Sequence, residues 1–219
     1  MSDYALGDDL YLGITPGGSY YAVQDDATDA GRSFLHRLLK IPETPQFNVD
    51  IACELSGLKR KAALEFVHWM QEAGFIYGSD KQEAAPTDSI ESILPSLLKP
   101  LSSDGKAVLA EGRGLYLGAA GYPHEVAEEL AALSANLTAA YVRHKEVLKD
   151  NLGHRQKAWG LIDANGNSEI GFWPIYIGDT RFTLIVGGVP QLNQTAFKEL
   201  IWALEIRYGN EDAATGDVS

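Results

Sequence analysis

The chain has 219 residues, of which 45% are hydrophobic, and its 30 acidic against 18 basic side chains give a formal net charge of −12. That balance disfavours nonspecific binding to nucleic acid or anionic lipid, no apolar run approaches the roughly 20 residues needed to span a bilayer, and the opening MSDYALGDDL lacks the basic and apolar regions of a secretory signal. Cys53 is the one cysteine, so no internal disulfide and no CxxC metal site can form, and a cytoplasmic protein is the simplest reading.

The first expected element is a hairpin. DLYLGI and SYYAV flank TPGG, in which Pro16 suits the first central position of a tight turn and Gly17 supplies the positive φ of the second. DATDAGRSFLHRLLKI then predicts a helix with Phe34, Leu35, Leu38 and Leu39 on one stripe. NVDIACELSGL predicts a short helix capped by Asn48, Gly57 the turn, and a longer helix runs from about Lys59 to Ala73. Gly74 ends it and FIY returns as a strand. Ala52 and Leu55 before the turn, and Leu58, Ala63, Val67 and Met70 after it, resemble the helix-turn-helix core of winged-helix proteins, so residues 1–80 are expected to form a winged-helix-like domain. With the hairpin ahead of the helices, the order is also similar to that of small peptide-recognition domains of ribosomal peptide pathways, which bind an extended leader at a sheet edge.

Lys59, Arg60 and Lys61 sit where a recognition helix enters a DNA groove, and His68 shares the outward face with Lys61. Glu65 and Glu72 lie on that face too, and residues 1–80 hold 12 acidic and 6 basic residues. Since phosphate neutralisation is the main source of DNA affinity, nucleic acid is an unfavoured partner. These cations also oppose the helix dipole, which keeps DNA or an anionic partner as alternatives to a merely solvated helix start.

SDKQEAAPTDS, residues 79–89, is polar, contains Pro86 and reads as a linker. Beyond it, TDSIESILPSLLKPL predicts a helix whose Asp88 and Glu91 are spaced as a capping box. GKAVLAEGRGLYLGAAG predicts two strands around a glycine turn, and residues 124–152 one long helix. KAWGLIDANGNSEIGFWPIYIGDTRFTLIVGG predicts three strands joined by NGN and GDT turns. Its Pro174 belongs at an edge or bulge, and Trp173 beside it is either a contact or a core residue. NQTAFKELIWALEIRYG closes with a helix whose apolar face holds Phe197, Leu200, Ile201 and Leu204. The acidic stretch 209–219 is expected to be disordered.

The resulting order α-β-β-α-β-β-β-α over residues 87–208, with that first hairpin and the long helix after it, resembles the roadblock family of dynein-associated and bacterial GTPase-regulating proteins. The resemblance implies an α+β fold with a five-stranded antiparallel sheet and flanking helices. It also implies dimerisation through long helices and edge strands, and a scaffold or regulator of a small Ras-like GTPase or other protein partner rather than an enzyme. The long helix points to a homodimer independently. Val126, Leu130, Leu133, Leu137, Ala140, His144 and Val147 alternate spacings of four and three, a heptad stripe. Ala127, Ala131, Ala135, Ala139 and Val142 form a second apolar set, and two apolar faces need two partners, the alternative being a helix well buried within its own domain.

No catalytic, cofactor or metal site is legible. His36, His68, His124, His144 and His154 lack HExxH spacing, His124 and Glu128 are one turn apart without a third ligand, and Cys53 beside Ala52 reads as a small buried hydrophobe. The glycines of TPGGS, EGRG and IVGG match neither a phosphate loop nor GxGxxG. Three functions stay open: a non-enzymatic dimeric scaffold, a DNA-binding transcription regulator with a roadblock-like dimerisation domain, and a peptide-binding module using the N-terminal hairpin.

Overall fold

The structure is a computed structural model that describes residues 9–154 and 156–209. Residues 210–219, most of the expected acidic tail, lie outside them.

The first half is built on β1 (Tyr11–Ile14), α1 (Pro16–Val23), α2 (Ala30–Leu39), α3 (Val49–Ser56), α4 (Arg60–Glu72) and β2 (Ile76–Ser79). Here the expected hairpin is corrected. TPGG starts a helix: Thr15 Oγ1 accepts from the Gly18 N–H at 2.9 Å and Pro16 occupies the first turn, the usual place for proline in a helix. Glycine in that helix costs about 1 kcal/mol relative to alanine, but a Cβ on Gly18 would fall 2.1 Å from the Phe75 carbonyl oxygen. The partner of β1 is therefore the distant β2, in antiparallel register from Tyr11↔Ser79 to Ile14↔Ile76. Two helices joined by a turn do form, although Leu58, expected in their core, is 40% exposed. Asn48 Oδ1 accepts from Ile51 N–H at 3.0 Å, Gly57 turns the chain at φ 70°, and Ala63, Val67 and Met70 are buried. A winged helix's wing hairpin does not follow, because β2 leads directly into residues 80–89.

The second half contains α5 (Ile90–Leu98), β3 (Ala107–Glu111), β4 (Tyr116–Ala120), α6 (His124–Glu146, with a π turn over Val147–Asn151), β5 (Trp159–Ile162), β6 (Ser168–Ile177), β7 (Thr180–Gly187) and α7 (Thr195–Tyr208). The strands make one antiparallel five-stranded sheet in the order β4-β3-β7-β6-β5, as expected. The expected capping box does not form: Ser89 is the N-cap of α5, without a side-chain cap bond. Pro174 obeys the edge rule locally. β5 pairs with β6 only as far as Phe172, so the missing N–H faces no strand there.

Helix α6 covers one sheet face, over Val108, Ala110, Phe172 and Ile185. The other face, including Leu109, Leu184 and Val186, is covered by α5 and α7 and continues into the first-half core of Leu12, Phe34, Leu35 and Met70. Helix α7 is central. Phe197, Leu200, Ile201 and Leu204 are buried as expected, but so are Lys198, Trp202, Ala203 and Glu205. Tyr20 of α1 packs against Phe197, Trp202 Nε1–H donates to Ile41 O at 2.9 Å, and His36 Nδ1 of α2 lies 2.5 Å from Glu205 Oε1. Residues 79–89 also join this core. Thr44 and Ala85 N–H groups bond Glu83 and Pro42 carbonyls at 2.8 Å, and Glu83 holds both the Tyr77 hydroxyl and the buried Lys198 ammonium.

We propose that residues 87–208 still fold alone, but weakly. A fragment of that range is expected to melt cooperatively roughly 10 °C or more below the full chain, because truncation bares the α7 face around Phe197 and Trp202. Calorimetry showing no transition in the fragment would mean that α7 cannot be housed without α1 and α2.

Candidate interaction surface

The inner face of α6 is its small-residue face. Ala127, Ala131 and Ser134 are buried on the sheet, and their size lets the helix sit close. Ser134 Oγ–H satisfies itself on Ala131 O at 2.7 Å. Leu130 and Leu137 of the predicted stripe pack half-buried against the same sheet, Val126 and Ala140 are also half-buried, and Leu133 and His144 face solvent. The two apolar sets thus divide differently from their sequence spacing. Ala127 and Ala131 seat on the sheet, Ala135 is half-buried and Ala139 exposed, while Leu133, Val142, Val147 and Leu152 are left exposed.

A second exposed apolar element adjoins them. β5 is an edge strand, WGLI, with one side bonded to β6 and the other bonded to no strand among the described residues. Leu161 is 61% and Ile162 69% exposed. Trp159 shares a small hollow with Leu137 and Tyr141 of α6, which places the start of the edge strand against that helix. Sequence reasoning missed Trp159, Leu161 and Ile162 as site residues. A short uninterrupted apolar run reads as a buried strand, and only the sheet order shows that this one lies at the rim. An apolar edge without lysine, proline or cover is a template for another strand.

Just ahead of β5, Lys157 ties the edge to the first half of the chain. Its ammonium lies 3.0 Å from Asp25 Oδ1 and 2.5 Å from Asp26 Oδ1, and 4.6 Å from the Tyr176 ring centre. Burial opposes ionisation of Asp25, but the Ala27 N–H and the Lys157 ammonium outweigh it and lower the carboxyl from 3.8 to about 2. Burial likewise opposes the Lys157 charge, and Asp26 and Asp25 overcome it and raise its pKa. A lowered carboxyl contributes stability that is present above its unfolded pKa and lost as pH falls toward its folded one. Lys157→Met should therefore cost about 1 kcal/mol at neutral pH, and its deficit should shrink as pH falls from 3.8 to about 2. Urea unfolding at a series of pH values measures this; a deficit unchanged across that window would remove the ion pair as its cause.

At the other candidate, Lys59, Arg60 and Lys61 are exposed at the start of α4, where Lys59 is the N-cap and makes no side-chain cap bond. His68, Glu65 and Glu72 are exposed along the same helix. So is Trp69, at 48%, packed on Phe66 and edge-on to Phe75. The structure does not bring the basic triplet together with the α6–β5 surface residues in any common cavity. A mixed face with an apolar centre is poorly suited to a phosphate backbone. Duplex DNA at physiological salt is expected to give no saturable mobility shift; tight sequence-specific binding abolished by Lys61→Glu would contradict this.

Elsewhere, His124 Nδ1 lies 2.5 Å from the Tyr116 hydroxyl and its Nε2 3.5 Å from Glu128, and Cys53 is a half-buried thiol. Among the described residues no three His, Cys, Asp or Glu side chains are arranged to hold a metal, and no helix is long and apolar enough to cross a membrane.

No family model and no curated protein matches this chain. Solved structures similar to its fold include MglB of Myxococcus xanthus, at 15% identity and TM-score 0.35 over 55% of this chain and 91% of that one. A Roadblock/LC7 domain from Streptomyces avermitilis aligns at 15% and 0.34 over 55% and 93%. The gliding protein MglB of Thermus thermophilus aligns at 16% and 0.36 over 58% and 96%. Likeness at this level transfers no function, and what the chain itself establishes is a five-stranded antiparallel sheet with helices on both faces.

Proposed function

We propose that this protein is a non-enzymatic regulatory scaffold that acts as a homodimer and binds a protein partner through the dimer. The observation that carries the reading is the exposed apolar β5 edge, Leu161 and Ile162 on a strand with no partner on its outer side among the described residues, on a sheet whose helix α6 also leaves Leu133, Val142 and Val147 exposed. Two copies meeting about a two-fold axis would pair β5 with β5 antiparallel and cover both α6 stripes, an isologous contact. A surface of this kind left bare on a monomer is an aggregation hazard.

The partner class follows from the roadblock-like element order, which favours a small Ras-like GTPase. The first half, winged-helix-like in its helix-turn-helix, adds a second binding face around Trp69. The test has two parts. Sedimentation should give a dimer at tens of micromolar (order of magnitude for a standard interface), and a monomer there removes the dimer. Affinity capture with GDP or a non-hydrolysable GTP analogue should then enrich a P-loop GTPase on the wild type and not on a β5-edge variant. Equal capture by both would remove the dimer surface as the binding site.

A further inference from the structure

We infer that the groove between residues 84–91 and the outer side of α7 is a docking site for an extended peptide segment that alternates apolar with basic side chains. The groove lies on the α5–α7 side of the sheet, away from the α6–β5 surface, and does not depend on dimerisation. It encloses about 550 Å³. Ala85, Ile90, Ala203 and Ile206 give it an apolar floor, the first three buried and Ile206 half-buried.

Its charge selects the occupant. Glu43, Asp88 and Glu91 line the rim against one cation, Arg207. None of the three carboxylates has an ion-pair partner among the described residues. Asp88 and Glu91 also complement the dipole at the start of α5. Glu43 has no such role; it lies on the segment that bridges Ala84, so negative charge borders the groove from two separate stretches of chain. An apolar floor under an unneutralised acidic rim fits a chain carrying Lys or Arg between aliphatic residues.

The backbone sets its form. The Glu43–Ala84 bridge is held by Thr44 N–H to Glu83 O and Ala85 N–H to Pro42 O, both 2.8 Å. In this antiparallel register Ala84 is a non-hydrogen-bonded residue, so its own N–H and C=O point away from Glu43. They offer an added strand one bonding position, and Pro86 ends the ladder two residues later. Successive side chains of an extended guest point to opposite sides, which places apolar residues on the floor and basic ones at the rim.

The experiment uses the full chain and a fluorescein-labelled, capped peptide alternating valine and lysine, read by fluorescence anisotropy. Saturable binding is expected, about tenfold weaker for Glu43→Gln/Asp88→Asn/Glu91→Gln, as fits the loss of three exposed charge contacts. The same charge change on α6, Glu125→Gln/Glu128→Gln/Glu129→Gln, should leave affinity within about twofold, a difference inside the screening of distant charges. Ala84→Trp, at an exposed rim position, should block the groove without touching the core. Equal loss in both triple variants, equal binding of a serine–lysine peptide or of a valine–glutamate peptide, or no saturation up to about 1 mM, would each overturn the assignment.

Discussion

Leu161→Lys combined with Ile162→Lys is expected to turn the proposed dimer into a monomer. Both side chains are more than half exposed in the single chain, so lysine there costs the fold little. Across a two-fold β5–β5 interface the lysines of the two copies would be brought close together, and juxtaposed like charges in an interface cost several kcal/mol. Natural edge strands use lysine for the same purpose. Sedimentation of the wild type and the double variant side by side at tens of micromolar is the measurement. A persistent dimer with an unaltered sheet would move the interface off β5. Leu133→Asp on α6 should act in the same direction. Leu137→Asp is a poorer probe, because Leu137 packs against its own sheet and the change would damage the monomer as well.

The second large effect is on stability. Phe197→Ala should destabilise the whole chain by about 3–5 kcal/mol, the range for emptying a fully buried aromatic site. For a chain of this size that lowers Tm by roughly 6–20 °C. Phe197 is fully buried and meets Tyr20 of α1 as well as the second-half core. Far-UV circular dichroism and tryptophan fluorescence should therefore report one common, lowered transition. Two separated transitions, with only one shifted, would show that α7 belongs to one half.

Much of the second half was legible because each element there carries its own signal. The NGN and GDT turns fixed β5, β6 and β7, the glycine turn fixed β3 and β4, and apolar periodicity fixed α6 and α7. Near the N-terminus the same kind of signal misled. Thr-Pro-Gly-Gly satisfies a tight turn and a capped helix start equally well, and the choice was made by the Phe75 carbonyl lying against Gly18, a contact with a residue far along the chain. The interaction surface was half legible. Spacing showed that α6 has two apolar sets, but the sheet takes part of each: Ala127 and Ala131 seat closely, and Leu130 and Leu137 flank them. The β5 edge was hidden, because strand order within a sheet is set by long-range pairing and leaves no mark on a four-residue run.

Helix α7 is the last described element to be synthesised, and both halves of the core close around it. While a ribosome is still making residues 195–208, the parts of α1, α2, α5 and the sheet that pack on α7 lack that partner. Domains generally fold as units, N-terminal first during synthesis; here the surfaces that pack on α7 have to wait for residues 195–208. Its vulnerable period is thus the interval before α7 appears, when the open β5 edge and the unfilled core are exposed together. A chain halted before residue 195 would be a substrate for chaperones and proteases rather than a smaller working protein.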